Sequence, residues 1–251
     1  MDEGGDGVVG QSAAARDGAR RGGGETNMKR WEWPLMAAGA AALILGAWSG
    51  TLPLGMTETF AAVTGAITVW LVVKQNIWNW PIGIASSAFF LVLFFSERLF
   101  ADMTLQLIYI VLGFLGWYWW LRGGAGQTAL QVSRATPATL LVVGGLVVVG
   151  TAGMTAFLRS VGDAAPFLDA LTTTLSLAAQ YLLTRKLIEN WYVWIAADII
   201  YIGLYASREL YLTAALYALF LVLCLQGLRQ WRQSPSAAPA PALVTIPEGA
   251  R

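Results

Sequence analysis

Eight apolar segments, separated by short polar or turn-forming stretches, run through the middle of the chain. They cover residues 34–50, 58–73, 79–96, 101–121, 137–158, 166–184, 190–206 and 210–228. Most of them approach the ~20 residues that an α-helix needs to cross a bilayer. The pattern therefore predicts an all-α integral membrane protein with eight transmembrane helices.

The two ends of the chain differ from this middle part. Residues 1–33 are rich in Gly, Ala and charge, and residues 233–251 are rich in Pro and Ala, so both are predicted to be disordered tails. The first apolar segment, 34–50, is short and follows a basic stretch. It is either a retained transmembrane helix or the apolar part of a cleaved signal peptide.

An internal repeat divides the apolar segments into two groups of three. Residues 58–121 align without a gap on residues 169–232 at a shift of 111 positions. The matched pairs include Asn79–Trp80 with Asn190–Trp191, Gly116 with Gly227, and Trp120 with Trp231. Each unit has three spans, an odd number, so two units joined directly would have opposite orientations in the membrane. The single span 137–158 between the units 58–121 and 166–232 reverses the chain once more. The two three-helix repeats are therefore predicted to run parallel. Transporters built from parallel repeats hold their substrate between the repeats, near the bilayer midplane.

Composition and charge support the membrane assignment. Hydrophobic residues make up 57% of the 251 residues and charged residues 12%, against about 25% charged in soluble domains. With eight spans and the N-terminus in the cytoplasm, only Arg98, Arg159 and Arg208 of the 16 Lys and Arg face outward, which leaves 13 inside. Both termini are then cytoplasmic, provided that the first helix is retained. Beyond the N-terminal tail no basic cluster suggests a nucleic-acid partner.

Several classes of enzyme are excluded by what the sequence lacks. It contains no histidine, one cysteine (Cys224) and no GxxxxGK[ST] phosphate loop. Histidine-dependent hydrolases, imidazole-containing metal sites and ATP-driven pumping are therefore not expected. The sequence predicts neither an enzyme nor a bound metal or cofactor.

Polar residues inside the predicted spans are the candidates for a binding site. An Asp at the centre of a membrane helix costs about 2.5–3.5 kcal/mol on insertion scales, and Asp198 occupies such a position. It lies on one helix face with four aromatic residues: Trp191, Trp194, Tyr201 and Tyr205. The face is either one wall of a pocket or a packing surface on which Asp198 is hydrogen-bonded to a neighbouring hydroxyl.

Two further helix faces carry polar groups. One holds Asp102, Gln106 and Tyr109, and the other holds Thr173, Ser176 and Gln180. Ser and Thr often serve helix packing in membranes, but an amide has four hydrogen-bonding sites to satisfy. No Lys or Arg lies within a span, so the interior suits a flat, hydroxylated and possibly cationic ring better than a phosphate.

Several stretches resemble the nicotinamide riboside transporter family of the PnuC type: "WNWPIGI", "ADMTLQLIY", "LDALTTTLSLAAQYLLTRKLIENWYVWIAADIIYI" and "YLTAALYALFL". The resemblance covers residues 55–232. It implies a 3+1+3 helix plan like that of the SWEET sugar transporters, to which the segment 34–50 adds one N-terminal helix. It also implies a homotrimer in the cell (inner) membrane that feeds NAD synthesis. Nicotinamide riboside would enter by facilitated diffusion and be trapped by a cytoplasmic kinase. Thiamine or another nucleoside-like vitamin is the alternative substrate.

The resemblance and the helix faces together define a candidate substrate site. The family motifs assign Asn79, Trp80, Gln106, Gln180, Asn190, Trp191 and Trp194, and the helix faces add Tyr109, Thr173 and Asp198. Trp78 precedes this group at the predicted cytoplasmic edge, where aromatic residues usually anchor a helix at the interface. The Asn-Trp pair that follows it occurs in both repeats, which an anchor would not require.

Overall fold

The computed structural model describes residues 32–50, 55–96, 98, 100–163 and 165–234, and the regular structure of these residues is helical. Eight α-helices follow one another: α1 Glu32–Trp48, α2 Met56–Val73, α3 Asn79–Ser96, α4 Phe100–Arg122, α5 Pro137–Ser160, α6 Pro166–Thr184, α7 Asn190–Ser207 and α8 Tyr211–Gln233. Each overlaps one of the eight apolar segments. The predicted tails lie outside the described residues, apart from residues 32–33 and 233–234.

Four of the described helices are long and apolar enough to cross a membrane: Asn79–Ser96, Met103–Arg122, Pro137–Ser160 and Tyr211–Gln233. The apolar part of α2, Thr59–Val73, is shorter. Helices α6 and α7 contain Gln180 and Asp198 within apolar sequence, and such polar side chains lower the mean hydropathy of a helix. The chain is thus a multi-pass helical protein whose less apolar helices carry polar groups into the interior.

Matching turns connect the first two helices in each of the two groups of three, α2–α4 and α6–α8. Gln75 and Lys186, which are 111 positions apart, both adopt a left-handed backbone, with φ of 55° and 54°. The helices that follow begin at Asn79 and Asn190, whose side-chain amides donate to the carbonyls of residues 76 and 187 at 2.7 and 2.5 Å. The repeated asparagines therefore hold the turns that reverse the chain.

The helices pack in an order that stays the same when the two groups of three are exchanged. Within the groups, α2 packs on α3 and α3 on α4, as α6 packs on α7 and α7 on α8. Between the groups, α2 packs on α8 and α4 on α6. Helix α5 packs on α6, and α1 packs on α2.

A cluster of four tryptophans forms the core where the two groups meet. Trp80 and Trp120 pack edge to face with ring centroids 5.4 Å apart, and Trp191 and Trp231 do the same at 5.3 Å. The Trp120 and Trp231 rings lie 6.0 Å apart and join the two pairs. All four are at most 3% exposed. We call these residues the tryptophan cluster.

Glycines and indole hydrogen bonds fix this cluster. A Cβ at Gly116 would lie 2.2 Å from the Trp80 ring, and one at Gly227 would lie 2.3 Å from the Trp191 ring, so only glycine permits either contact. The Trp120 Nε1 donates to the Leu183 carbonyl at 3.1 Å, which links α4 to α6. The Trp231 Nε1 donates to the Val72 carbonyl at 3.1 Å, which links α8 to α2.

The segment 123–136, between α4 and α5, contacts one of the two matched turns, the turn between α6 and α7. Ser133 and the turn between α6 and α7 exchange two backbone hydrogen bonds, with Lys186 and Ile188, at 3.2 and 3.0 Å. The backbone N–H of Ala135 donates to Glu189 Oε2 at 2.8 Å. The equivalent turn between α2 and α3 instead contacts the end of α8, where Gln75 Nε2 donates to Ser234 Oγ at 2.7 Å.

Candidate functional site

A cavity of 380 Å³ lies between the two groups of helices and receives side chains from α2, α3, α4, α6, α7 and α8. Ligand pockets for small molecules typically measure about 300–1,000 Å³. Seven of the candidate residues line it: Asn79, Trp80, Tyr109, Gln180, Trp191, Trp194 and Asp198. The structure thus brings together residues from four separate helices that the sequence could only assign one face at a time.

Three candidate residues do not line the cavity: Gln106, Thr173 and Asn190. Gln106 and Thr173 are half-buried on α4 and α6, away from its walls. Asn190 is fully buried and serves the turn before α7, while its Oδ1 has no hydrogen-bond partner among the described residues. The side chain of Asp102 lies outside the described part of the structure.

Residues of α8 line the cavity although the sequence offered no candidate there. They are Tyr217, Phe220 and Cys224. The repeat contained a signal for two of them, because the shift of 111 places Phe220 on Tyr109 and Tyr217 on Gln106. Hydroxyl-bearing lining residues from four other helices were also missing from the candidate set: Thr68, Ser86, Ser87, Ser176 and Tyr201.

The two sides of the cavity are equivalent in position but differ in chemistry. We call the lining residues of α2–α4 the first wall and those of α6–α8 the second wall. Five matched pairs differ in size or polarity: Gly65 with Ser176, Val69 with Gln180, Gly83 with Trp194, Ser87 with Asp198, and Gly113 with Cys224. At these five positions the first wall carries small or apolar residues, and the second wall carries a hydroxyl, an amide, an indole, a carboxylate and a thiol. The first wall has its own aromatic and amide groups elsewhere, at Asn79, Trp80 and Tyr109. An asymmetric ligand fits such a site.

The polar groups of the second wall have few partners within the protein. Asp198 is 4% exposed, and its Oδ2 accepts one weak hydrogen bond, from Cys224 Sγ at 3.4 Å. Gln180 has no side-chain hydrogen bond to any described residue, so its amide is available to a ligand. No Lys or Arg is among the lining residues described, and the single carboxylate makes the cavity a poor site for an anion.

Three stacked tyrosines continue from the cavity along the second wall. Tyr201 and Tyr217 line the cavity, with ring centroids 4.5 Å apart. Tyr205 extends the stack, 5.9 Å from Tyr201 and 5.3 Å from Tyr217. Trp194 is half-buried one turn before Asp198 on the same helix. The second wall therefore combines aromatic faces with a carboxylate, which favours a flat ring and tolerates positive charge.

Known proteins with similar sequences and structures are transporters. The family profile described as "Nicotinamide mononucleotide transporter" matches residues 55–233. A nicotinamide riboside transporter PnuC of Escherichia coli is 27% identical over 212 residues, which cover 74% of this chain and 89% of that protein. The PnuC of Neisseria mucosa is 31% identical over 180 residues, 69% of this chain and 67% of that protein.

The chain is also similar to a transporter of another vitamin and to a solved transporter structure. The riboflavin/roseoflavin transporter RibM of Streptomyces davaonensis is 26% identical over 175 residues, which cover 67% of this chain and 81% of RibM. A crystal structure of the vitamin B3 transporter PnuC superposes with a TM-score of 0.62 at 25% identity. The match covers 82% of this chain and 92% of that chain.

Proposed function

Because the chain belongs to the nicotinamide mononucleotide transporter family, we propose that it carries nicotinamide riboside across a membrane. The observation that carries this proposal is the cavity between the two helix groups, with its aromatic second wall, its unpartnered amide and its single carboxylate. Nicotinamide riboside combines a flat cationic ring with a hydroxylated sugar. The ring suits Trp194 and Asp198, and the sugar suits the amide and hydroxyl groups.

The substrate-binding residues of this proposal are those that line the cavity. They are Asn79, Trp80, Tyr109, Gln180, Trp191, Trp194 and Asp198, together with the hydroxyls of Ser87 and Ser176. Titration of the purified protein with nicotinamide riboside, its mononucleotide, thiamine and riboflavin tests the assignment. Preferential binding of the riboside is expected, and binding of one of the other vitamins alone would reject it.

The fold of this proposal consists of two parallel three-helix repeats, α2–α4 and α6–α8, with α5 as the linking helix and α1 as an addition. It is supported by the two contacts between the groups, because α2 packs on α8 in the same way as α6, its counterpart, packs on α4. It is also supported by the matched indole hydrogen bonds, because Trp120 and Leu183 lie at the shift of 111 from Trp231 and Val72. Transport then consists of movement of one repeat against the other around the cavity.

The charge distribution supports a membrane orientation with both termini in the cytoplasm. In that orientation the tryptophan cluster closes the cytoplasmic side of the cavity, and the tyrosine stack leads outward from it. The cell membrane, a homotrimeric assembly and trapping of the product by a cytoplasmic kinase complete the proposal. They rest on the family resemblance.

Uptake should be downhill. The sequence has no nucleotide-binding loop, and the lining residues described include one carboxylate and no Lys or Arg. Vesicles that contain the purified protein and no kinase should fill with nicotinamide riboside until the inner and outer concentrations are equal. Accumulation above the outer concentration, driven by ATP or by a proton gradient, would contradict facilitated diffusion.

The cavity should prefer the riboside to the mononucleotide. A phosphate would be desolvated without a cationic partner, which is unfavourable. We expect at least about tenfold weaker binding of the mononucleotide, a difference of about 1.4 kcal/mol. Isothermal titration calorimetry with both compounds measures the ratio, and equal affinities would show that another group neutralises the phosphate.

Riboflavin is the second candidate substrate, because the relative RibM is named as a transporter of riboflavin and roseoflavin. Its three-ring system would also stack on the aromatic second wall, but it needs more space than the single ring of nicotinamide. Thiamine, with its cationic ring, is compatible with the carboxylate. Competition of each vitamin against labelled nicotinamide riboside ranks the three.

A further inference from the structure

Three glycines line the cavity, and each belongs to a different helix of the first wall. They are Gly65 on α2, Gly83 on α3 and Gly113 on α4. The second wall carries side chains at all three matched positions, namely Ser176, Trp194 and Cys224. The absence of a side chain therefore needs a reason at each of the three glycines.

Packing of the protein explains two of these glycines. A Cβ at Gly65 would lie 3.1 Å from Phe220 Cζ, and a Cβ at Gly113 would lie 2.7 Å from Ile84 Cγ1. Real Cβ atoms do not approach their neighbours to 2.7 Å, and 3.1 Å is tight. At both positions the place of the missing side chain is taken by another residue of the protein.

Gly83 is different, because its missing side chain leaves open space. A Cβ there would have a single neighbour within 4 Å, Thr68 Cγ2 at 3.6 Å, which is an ordinary van der Waals contact. Since Gly83 lines the cavity, the volume that its side chain would fill belongs to the cavity. Glycine in the middle of a helix is unfavourable compared with alanine, so helix stability does not account for it.

We propose that Gly83 is a specificity-determining residue, which sets the size of the ligand by letting it lie against the α3 backbone. This inference rests on the proposed function, because it assumes that the cavity is the substrate site. The side chain at the matched position of the second wall is Trp194, the largest of all. At this pair of positions the flat ring of a nucleoside thus meets an indole from the second wall and bare backbone from the first. A residue with a side chain at position 83 would take part of the space that the ligand needs.

The test compares two substitutions at this position. Gly83→Ala adds one methyl group, and Gly83→Val adds three carbon atoms. The dissociation constant for nicotinamide riboside should rise about tenfold for the first and at least about a hundredfold for the second. The melting temperature of Gly83→Ala should stay the same or rise, because alanine is the better helix former. This combination separates a ligand contact from a packing role.

The matched control is Ala85→Val on the same helix. Ala85 is exposed two residues further along α3 and does not line the cavity. Its enlargement should leave the dissociation constant within twofold of the native value. Gly83→Ala with native affinity, or with a lowered melting temperature and native affinity in its folded fraction, would overturn the proposal. The Ala variant also decides the matter if Gly83→Val fails to fold.

The native protein is titrated first, so that the two ideas can fail separately. If it binds thiamine or riboflavin and not nicotinamide riboside, the proposed substrate is wrong. The ratio between the Gly83 variants and the native protein is then measured with the vitamin that binds. A ratio near one for that vitamin would reject Gly83 as the size determinant, whichever compound is transported.

Discussion

A reducible thiol cross-link between positions 75 and 234 is expected to abolish uptake, and reduction is expected to restore it. The variant is Gln75→Cys with Ser234→Cys, bridged by a short bis-methanethiosulfonate reagent. In the structure Gln75 Nε2 donates to Ser234 Oγ at 2.7 Å, so the two positions are adjacent. They connect the turn after α2, in the first group of three helices, with the end of α8, in the second group. If the repeats move apart at this contact to release substrate, a covalent bridge holds the cavity closed.

The contact between α4 and α6 is expected to move less, because the segment 123–136 braces it. The Leu130 N–H donates to the Trp120 carbonyl at 3.0 Å, and Lys186 Nζ donates to the Leu130 carbonyl at 3.0 Å. The Lys186 ammonium also lies over the Trp120 ring, 4.5 Å from its centroid. These contacts tie α4, the segment 123–136 and the turn before α7 into one unit. The opening should therefore occur between α2 and α8.

The matched control cross-link lies within that braced unit. It joins Ala135→Cys to Glu189→Cys, where the native backbone N–H and carboxylate are 2.8 Å apart. Both pairs are built in a Cys224→Ala background, and the uptake rate of that background is the reference. The control bridge should leave uptake near the reference. Full uptake with a complete 75–234 bridge would show that the α2–α8 contact does not open.

The sequence predicts the helices well because each is a predominantly apolar run with a polar turn on either side. It also places Trp194 and Asp198 on one face of α7, and both line the cavity. Periodicity gives the direction of a side chain around the helix axis. It does not give the depth at which neighbouring helices approach, which tertiary packing decides.

Gln106 and Asn190 illustrate this limit. Gln106 shares a face with Tyr109, but the cavity is bounded on α4 by Tyr109 and Gly113, further along the helix. Asn190 repeats Asn79, and the repetition reflects the turn that both hold rather than a shared contact with the cavity. The residues of α8 were missed because Phe220 and Cys224 are ordinary members of an apolar helix. Only their partners across the bundle make them part of a site.

The structure separates two tryptophans of α7 that the sequence treated alike. Trp191 is 1% exposed, packs edge to face on Trp231 and contacts Gly227 so closely that a Cβ there would lie 2.3 Å from its ring. Trp194, three residues later, is half-buried and faces the cavity. Trp191 is thus mainly a packing residue with one edge at the cavity, and Trp194 is the surface available for stacking.

Trp191→Ala should destabilise the protein, and Trp194→Ala should weaken binding. Replacing a buried tryptophan by alanine typically costs about 3–5 kcal/mol of folding free energy. A ring–aromatic contact is worth about 0.5–1.5 kcal/mol beyond its buried area, and a cationic ring adds about as much again. We therefore expect a strongly lowered melting temperature for Trp191→Ala. For Trp194→Ala we expect a ten- to hundredfold higher dissociation constant for nicotinamide riboside, with little loss of thermal stability.

Each variant is the control for the other, because the two residues lie on one helix and the chemical change is the same. Affinity and melting temperature are measured together on purified protein, and affinity is normalised to the folded fraction. Native affinity in Trp194→Ala, together with a lowered melting temperature, would make Trp194 a packing residue as well. It would also remove the main support for a ring bound beside Asp198, since no other indole on that helix face is open to the cavity to the same extent.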